Sequence, residues 1–203
     1  MTSNQLIEHL IIAGVLQSPR IIEAFRAVDR NDFVPEEYAE EAYEDYPVPI
    51  GYGQTISQPY TVAFMLELLQ PASGDKILDV GSGSGWTTVL LAQIVGPSGH
   101  VIGVEVKPEL VEYGGQNLAK YDFAHATIRS ASSKIGAPDE APFDCILVSA
   151  AGTEVPHELV AQLKTGGTMV VPVESAILKI RKDRNGKTHT ETYEGFAFVP
   201  LIT

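Results

Sequence analysis

The stretch that decides the fold is Lys76-Ile77-Leu78-Asp79-Val80-Gly81-Ser82-Gly83-Ser84-Gly85. Its first five residues predict a buried strand, and the glycines that follow let the backbone turn sharply against a ligand. A helix through Val95 and a strand over residues 101–105 come next, so Glu105 ends the second strand. An acid at that position can accept hydrogen bonds from ribose hydroxyls, and a helix N-terminus attracts polar groups. The unit therefore predicts a site for a nucleoside cofactor.

The spacing of the glycines bears on which nucleoside is bound. Gly81, Gly83 and Gly85 follow a G-x-G-x-G pattern, whereas the dinucleotide fingerprint is G-x-G-x-x-G. Asp79 adds a negative charge that repels a diphosphate and suits the sulfonium of S-adenosylmethionine. The loop favours S-adenosylmethionine over a nicotinamide dinucleotide, and a tight turn without a ligand is the remaining alternative.

Strands and helices alternate on the C-terminal side of this unit, which predicts an α/β fold with a doubly wound, mostly parallel sheet. The expected elements are a helix over 108–120, strands over 125–128, 145–148 and 168–173, and a helix over 156–163. Arg184-Asn185-Gly186 lies between candidate strands at 176–182 and 192–199, which predicts antiparallel C-terminal strands at the sheet edge. On the N-terminal side we expect an amphipathic helix through Leu6, Leu10, Ile11 and Val15, followed by helices over 18–28 and 61–69. Residues 34–59 are expected to be rich in turns, with a short helix near 36–42.

Composition limits the classes of protein. The 203 residues carry a formal charge of −12 and one cysteine, Cys145, so a single domain without an internal disulfide is expected. The acidic surplus opposes binding to nucleic acid, and the five histidines lack zinc-ligand spacing, so we predict no metal. Residues 1–5 lack basic charge and residues 6–16 are too short to cross a bilayer, which predicts a cytoplasmic protein without a membrane partner.

Several motifs resemble those of the protein-L-isoaspartate O-methyltransferase family. They are Arg30-Asn31-Asp32-Phe33-Val34-Pro35, Ala42-Tyr43-Glu44-Asp45, the run from Ile50 to Pro59, the glycine loop, Ala141-Pro142-Phe143-Asp144, Gln162-Leu163-Lys164-Thr165-Gly166-Gly167 and Phe198-Val199-Pro200-Leu201. Residues 54–59 are the most specific of these. The resemblance implies a Rossmann-like methyltransferase fold and S-adenosyl-L-methionine as cofactor. It also implies methylation of the free α-carboxylate of L-isoaspartyl residues in damaged proteins or peptides, which begins repair through a succinimide.

The resemblance also assigns roles to positions in this chain. Ser57 stands at the position of the family's active-site serine. The expected substrate-binding residues are Thr55, Ile56, Ser57, Pro200 and Leu201, to which the nearby Tyr60 is added as a possible wall of the peptide cleft. The expected cofactor-binding residues are Asp79, Gly81, Ser82, Gly83, Glu105, Ser132 and Ser133. We predict one methyltransferase domain over 1–203, with an N-terminal helical and substrate-cleft region (1–74), a cofactor-binding core (75–175) and a C-terminal hairpin (176–203).

The chemistry predicted for Ser57 is orientation. An isoaspartyl α-carboxyl has a pKa of about 3.5, so the nucleophile is already ionised at neutral pH and no general base is assigned. The Ser57 hydroxyl would hold the carboxylate in line with the methyl group. The alternative role for Ser57 is an N-cap, because a helix is predicted to begin near Thr61.

One position departs from the family pattern. Where relatives carry Gly-Asp-Gly, this chain has Ala131-Ser132-Ser133, which replaces a charge-assisted hydrogen bond to adenine by one weaker by roughly 1 kcal/mol. Two other functions therefore stay open: a related methyltransferase for an aspartate in a dedicated peptide, and a cofactor-binding pseudoenzyme that acts as an interaction module. We expect a monomer.

Overall fold

The computed structural model describes residues 1–202. The helices are α1 (Ser3–Ile12), α2 (Pro19–Ala27), α3 (Pro59–Leu69), α4 (Trp86–Val95), α5 (Pro108–Leu118) and α6 (His157–Gln162). Short 3₁₀ helices cover Arg30–Phe33, Glu36–Glu41 and Ala119–Tyr121. The strands are β1 (Val48–Gly51), β2 (Gln54–Ile56), β3 (Lys76–Val80), β4 (His100–Glu105), β5 (Ala126–Ser130), β6 (Phe143–Val148), β7 (Leu163–Val173), β8 (Ala176–Lys182) and β9 (Thr188–Glu194).

Strands β3 to β9 form one sheet in the order β5-β4-β3-β6-β7-β8-β9. The five strands from β5 to β7 are parallel, and β8 and β9 are added antiparallel. The chain moves outward from β3 to β4 on one side and to β6 on the other, so a crevice opens at the C-terminal end of β3. This architecture confirms the predicted fold class.

The central strands are buried on both faces because helices cover both sides of the sheet. Along β3, Ile77 belongs to the larger hydrophobic cluster with α1 to α4, whereas Leu78 and Val80 belong to a second cluster with Leu159 on α6. This alternation follows from the two-residue period of a strand. No helix within residues 1–202 combines the length and the apolar character needed to cross a bilayer.

A separate antiparallel hairpin, β1–β2, lies between the N-terminal helices and α3. Val48 and Ile50 on β1 and Ile56 on β2 are buried in the larger hydrophobic cluster. The burial fixes the hairpin on the body of the protein. As a result, the residues that follow β2, beginning with Ser57, have a defined position above the sheet.

The last predicted strand is wrong in its limits. β9 runs over Thr188–Glu194, not over 192–199, because the turn after β8 is tight. The Asp183 carboxylate accepts backbone N–H bonds from Asn185 (2.8 Å) and Lys187 (3.0 Å), and the return strand starts at once. Six of the seven β9 residues are exposed to solvent. The following Phe196 leaves the sheet and stacks on Phe64 of α3, with 5.0 Å between ring centroids.

Candidate functional site

A cavity of about 1040 Å³ lies at the C-terminal ends of β3, β4 and β6. Its wall is built from the segment after β2, the glycine loop, the ends of β4 and β5, the start of α6 and the C-terminal segment. Cavities at this place in a doubly wound sheet are where such folds bind their ligands. Most of the predicted site residues line it: Thr55, Ile56, Ser57, Gly81, Ser82, Gly83, Glu105, Ser132, Ser133, Pro200 and Leu201.

Ser57 is half-buried on this wall, in the loop between β2 and α3. Helix α3 has Gln58 as its N-cap residue, and the Tyr60 backbone N–H in its first turn donates to Asp45 Oδ1 at 2.8 Å. Because Asp45 satisfies this helix end, the N-cap role proposed for Ser57 is not the one observed. Within residues 1–202 the Ser57 hydroxyl makes no hydrogen bond, so it is available to a ligand.

Tyr60 is not among the residues that line the cavity, and its expected contact with the peptide stays a prediction. Its ring is half-buried against the larger hydrophobic cluster. Pro59 is the first residue of α3, so Tyr60 lies in the first turn of that helix.

Asp79 is also absent from the cavity wall, contrary to the expectation that it rims the crevice. It is fully buried and shares the face of β3 that packs on α4, where its Oδ2 accepts hydrogen bonds from Thr87 and Thr88 at 2.7 Å each. Burial raises the pKa of Asp79 to about 6. Its observed contacts fasten the start of α4 to the end of β3.

Glu105 lies on the wall at the end of β4 and is 5% exposed. Its Oε2 accepts the Gly83 backbone N–H at 3.0 Å, and its Oε1 accepts those of Val106 (2.8 Å) and Lys107 (3.0 Å). A carboxylate has about four acceptor positions, so about one is left for a ligand. Glu105 therefore holds the glycine loop as well as facing the cavity, a role that the sequence did not reveal.

Helix α5 supports the glycine loop from behind. A Cβ on Gly114 would lie 2.8 Å from the Gly83 carbonyl oxygen, and one on Gly85 would lie 3.0 Å from the Gly114 carbonyl oxygen, so only glycines allow this approach. The buried Asn117 donates to the Ser84 carbonyl at 3.0 Å. The sequence reasoning missed these residues, although the Gly114-Gly115 pair within a predicted helix was an available signal.

The loop after β5 forms the end of the cavity where Ser132 and Ser133 lie. Ser132 turns back on its own loop, because its hydroxyl donates to the Lys134 carbonyl (3.0 Å) and accepts the Lys134 N–H (3.1 Å). Gln162 of α6 secures this loop by accepting the Ala137 N–H (2.8 Å) and donating to the Ile135 carbonyl (2.9 Å). Gln162 is a further residue of the site that the sequence reasoning quoted without giving it a role.

The C-terminal segment reaches the cavity through backbone pairing. The Ala151 N–H donates to the Val199 carbonyl at 2.9 Å, and the Leu201 N–H donates to the Ala151 carbonyl at 2.8 Å. This isolated bridge holds Pro200 and Leu201 against the loop that follows β6. The segment is therefore a fixed part of the wall.

The polar atoms at the site fit a ligand such as S-adenosylmethionine. Four buried side-chain atoms lack a partner within the described residues, namely Arg30 Nε, Asp79 Oδ1, Ser82 Oγ and Trp86 Nε1. Two of them belong to residues on the cavity wall, Ser82 and Trp86. Because buried polar groups normally have partners, these two suit a ligand that carries polar groups of its own. The carboxylates on the wall, Glu105, Glu154 and Glu158, suit a cation.

The sequence of the chain is similar to those of known methyltransferases. A family model described as protein-L-isoaspartate(D-aspartate) O-methyltransferase matches residues 1–203. The chain is 44% identical over 204 residues to the protein-L-isoaspartate O-methyltransferase of Methanopyrus kandleri, with 98% of this chain and 90% of the relative covered. It is 44% identical over 193 residues to the enzyme of that name from Myxococcus xanthus, with 92% of this chain and 90% of the relative covered.

A solved structure of a protein described as a member of the same family has a similar fold. A Plasmodium falciparum chain assigned as a protein-L-isoaspartate O-methyltransferase, in complex with S-adenosyl-L-homocysteine, superposes with a TM-score of 0.88 at 26% identity. The alignment covers 100% of this chain and 99% of that one. These comparisons confirm the resemblance found in the sequence motifs. The chain belongs to the protein-L-isoaspartate(D-aspartate) O-methyltransferase family.

Proposed function

We propose that this chain transfers a methyl group from S-adenosyl-L-methionine to the free α-carboxylate of L-isoaspartyl residues in damaged proteins or peptides. One observation carries the proposal: Ser57, from the motif most specific to the family, and the glycine loop with Glu105 line the same cavity. A methyl transfer requires donor and acceptor to meet in one enclosed place. The names of the relatives support the substrate, and the bound S-adenosyl-L-homocysteine of the Plasmodium structure supports the cofactor.

Different residues of the cavity wall would bind the cofactor and cover the substrate. Gly81, Ser82 and Gly83 would hold the amino-acid end of the cofactor, Glu105 the ribose, and Ser132 and Ser133 the adenine. When bound, S-adenosylmethionine supplies a methyl group made electrophilic by a positively charged sulfur. Thr55, Ile56, Pro200 and Leu201 would cover the substrate and exclude water, which strengthens electrostatic interactions inside the cavity.

Ser57 would orient the substrate carboxylate by donating its free hydroxyl proton in a hydrogen bond to one carboxylate oxygen. The other oxygen is then left to face the methyl carbon. The carboxylate is ionised at neutral pH, so no residue has to remove a proton. The contribution of the protein is alignment and exclusion of water.

We further propose that the chain works as one domain and as a monomer in the cytoplasm, without a nucleic-acid or membrane partner. In this arrangement residues 1–74 supply the substrate side of the cavity, 75–175 the cofactor side and 176–203 the segment that covers it. The formal charge of −12 supports the lack of affinity for nucleic acid. Light scattering on the purified chain tests the oligomeric state, since a mass of 21.9 kDa is expected.

The test of the activity uses methyl-labelled S-adenosylmethionine and a pair of peptides that differ only in carrying isoaspartate or aspartate at one position. The expected result is base-labile label on the isoaspartyl peptide alone. Label on the aspartyl peptide would favour a methyltransferase for a dedicated aspartate. Cofactor binding without label on either peptide would refute the proposed activity and favour a pseudoenzyme.

A further inference from the structure

A buried arginine lies behind the Ser57 side of the cavity. Arg30 is 2% exposed and forms no ion pair with a carboxylate of residues 1–202. Burial lowers the pKa of Arg30 to about 10, so the guanidinium is still charged at neutral pH. A buried charge without a carboxylate partner is unfavourable, so other interactions must hold the guanidinium in place.

The guanidinium binds three backbone carbonyls that lie 12 to 27 residues after Arg30 in the sequence. Nη1 donates to Ala42 at 2.5 Å, and Nη2 donates to Tyr46 (3.3 Å) and to Ser57 (3.2 Å). Ala42 follows the second 3₁₀ helix, Tyr46 precedes β1, and Ser57 follows β2. Arg30 therefore fixes the peptide unit of Ser57 relative to both ends of the segment that leads into the β1–β2 hairpin.

The same guanidinium also contacts the cofactor side of the cavity. It lies over the Trp86 ring with 5.2 Å between Cζ and the ring centroid. Trp86 is the first residue of α4, directly after the glycine loop, and Phe25 of α2 packs against its ring at 5.7 Å. Arg30 thus contacts the loop between β2 and α3 through its nitrogen atoms and the start of α4 through the face of its guanidinium.

We propose that Arg30 is a positioning residue that sets the separation between Ser57 and the glycine loop by binding the Ser57 carbonyl while it stacks on Trp86. The inference rests on the proposed function, because Ser57 must orient the substrate carboxylate for its position to matter. Arg30 does not line the cavity, so it acts through Ser57 and Trp86 and not by contact with substrate.

A lysine could not replace Arg30 in this role. A planar guanidinium can stack on an indole and direct separate N–H groups to several carbonyls, whereas an ammonium is a point charge on a flexible stem. Arg30→Lys keeps the positive charge and loses the planar set of N–H donors. A displacement of about 1 Å at a reacting group can lower activity by about 100-fold, so a loss of at least about tenfold in kcat/KM is expected.

The experiment is a double-mutant cycle with Arg30→Lys, Ser57→Ala and both together, measured as kcat/KM for an isoaspartyl peptide. If Arg30 acts through Ser57, Arg30→Lys lowers kcat/KM at least about tenfold in the wild-type background and less than about threefold in the Ser57→Ala background. The Kd of S-adenosylhomocysteine, followed by the fluorescence of Trp86, the chain's one tryptophan, changes less than about threefold in Arg30→Lys. A general structural defect would lower both activity and cofactor affinity.

The matched control is Arg26→Lys. Arg26 is an exposed residue of α2, so this variant should leave kcat/KM unchanged. Should Arg30→Lys fail to fold, Arg30→Gln, which removes the buried charge, goes through the same cycle. Losses that multiply in the double variant would overturn the positioning role and leave the proposed function intact. A folded wild-type chain that binds S-adenosylhomocysteine but methylates neither peptide would overturn the proposed function, and the positioning role with it.

Discussion

Replacing Glu105 by glutamine tests whether one side chain both holds the glycine loop and binds the ribose. The carboxylate accepts three backbone N–H bonds, from Gly83, Val106 and Lys107. A glutamine has one carbonyl oxygen, which can keep the Val106 and Lys107 bonds, and its amide nitrogen then faces the Gly83 N–H. The loss of that bond and the unpaired N–H cost about 2–3 kcal/mol of stability.

The effect on cofactor affinity follows from the remaining acceptor position. Loss of one charge-assisted hydrogen bond to a ribose hydroxyl costs about 1.5–3 kcal/mol, which corresponds to an increase of about 10- to 150-fold in Kd. Titration calorimetry with S-adenosylhomocysteine measures the affinity, and urea denaturation without ligand measures the stability. Glu109→Gln, exposed in the first turn of α5, is the control and should change neither. A Kd for Glu105→Gln within about threefold of wild type would refute the ribose assignment.

Three further predictions concern other parts of the site. Ser57→Ala should lower kcat/KM for an isoaspartyl peptide by about 100-fold in steady-state assays with the Kd of S-adenosylhomocysteine unchanged, and equal losses in both would contradict an orienting role. The pKa of Asp79 is about 6 in the folded chain and 3.8 in its ordinary state, so the folded chain binds the proton more tightly and its stability should fall as pH rises through 6. Urea denaturation from pH 5 to 7 should show this fall for the wild type, and Asp79→Asn should remove it. Gly136→Ala should lower stability in thermal unfolding by about 1–3 kcal/mol more than Gly186→Ala. Both glycines have a positive φ, but only at Gly136 would the new Cβ lie 2.5 Å from Gln162 Oε1. Equal losses would show that backbone strain alone causes the destabilisation.

The parts of the fold that could be predicted are those decided by local sequence. β3 has the limits that the apolar run predicts, Lys76–Val80, and the loop and α4 follow as the glycines indicate. These elements depend on hydrophobic spacing and on backbone freedom within a few residues. Ser57, which the family resemblance singles out through the motif at residues 54–59, lines the cavity, and its role stays a prediction.

The parts that could not be predicted depend on contacts between distant residues. Asp79 faces α4 and not the cavity, and this orientation depends on where α4 packs against the sheet. The glycine-loop motif alone does not specify that packing. The bond from the Gly83 N–H joins Glu105 to a loop 22 residues earlier, and the carbonyls bound by Arg30 lie up to 27 residues away. No periodicity in the sequence encodes such pairings.

β9 closes the sheet with a strand that meets water along nearly its whole length. An edge of this kind, rich in threonine and glutamate and lacking aliphatic side chains, discourages another chain from adding itself as an extra strand. At the opposite edge β5 is only five residues long, and its Arg129 side chain is paired with Asp139 at 2.9 Å. The proposed substrates are damaged polypeptides, which could otherwise pair with an open edge of the sheet. Both edges of the sheet disfavour such pairing, which leaves the cavity as the proposed place of contact with a substrate polypeptide.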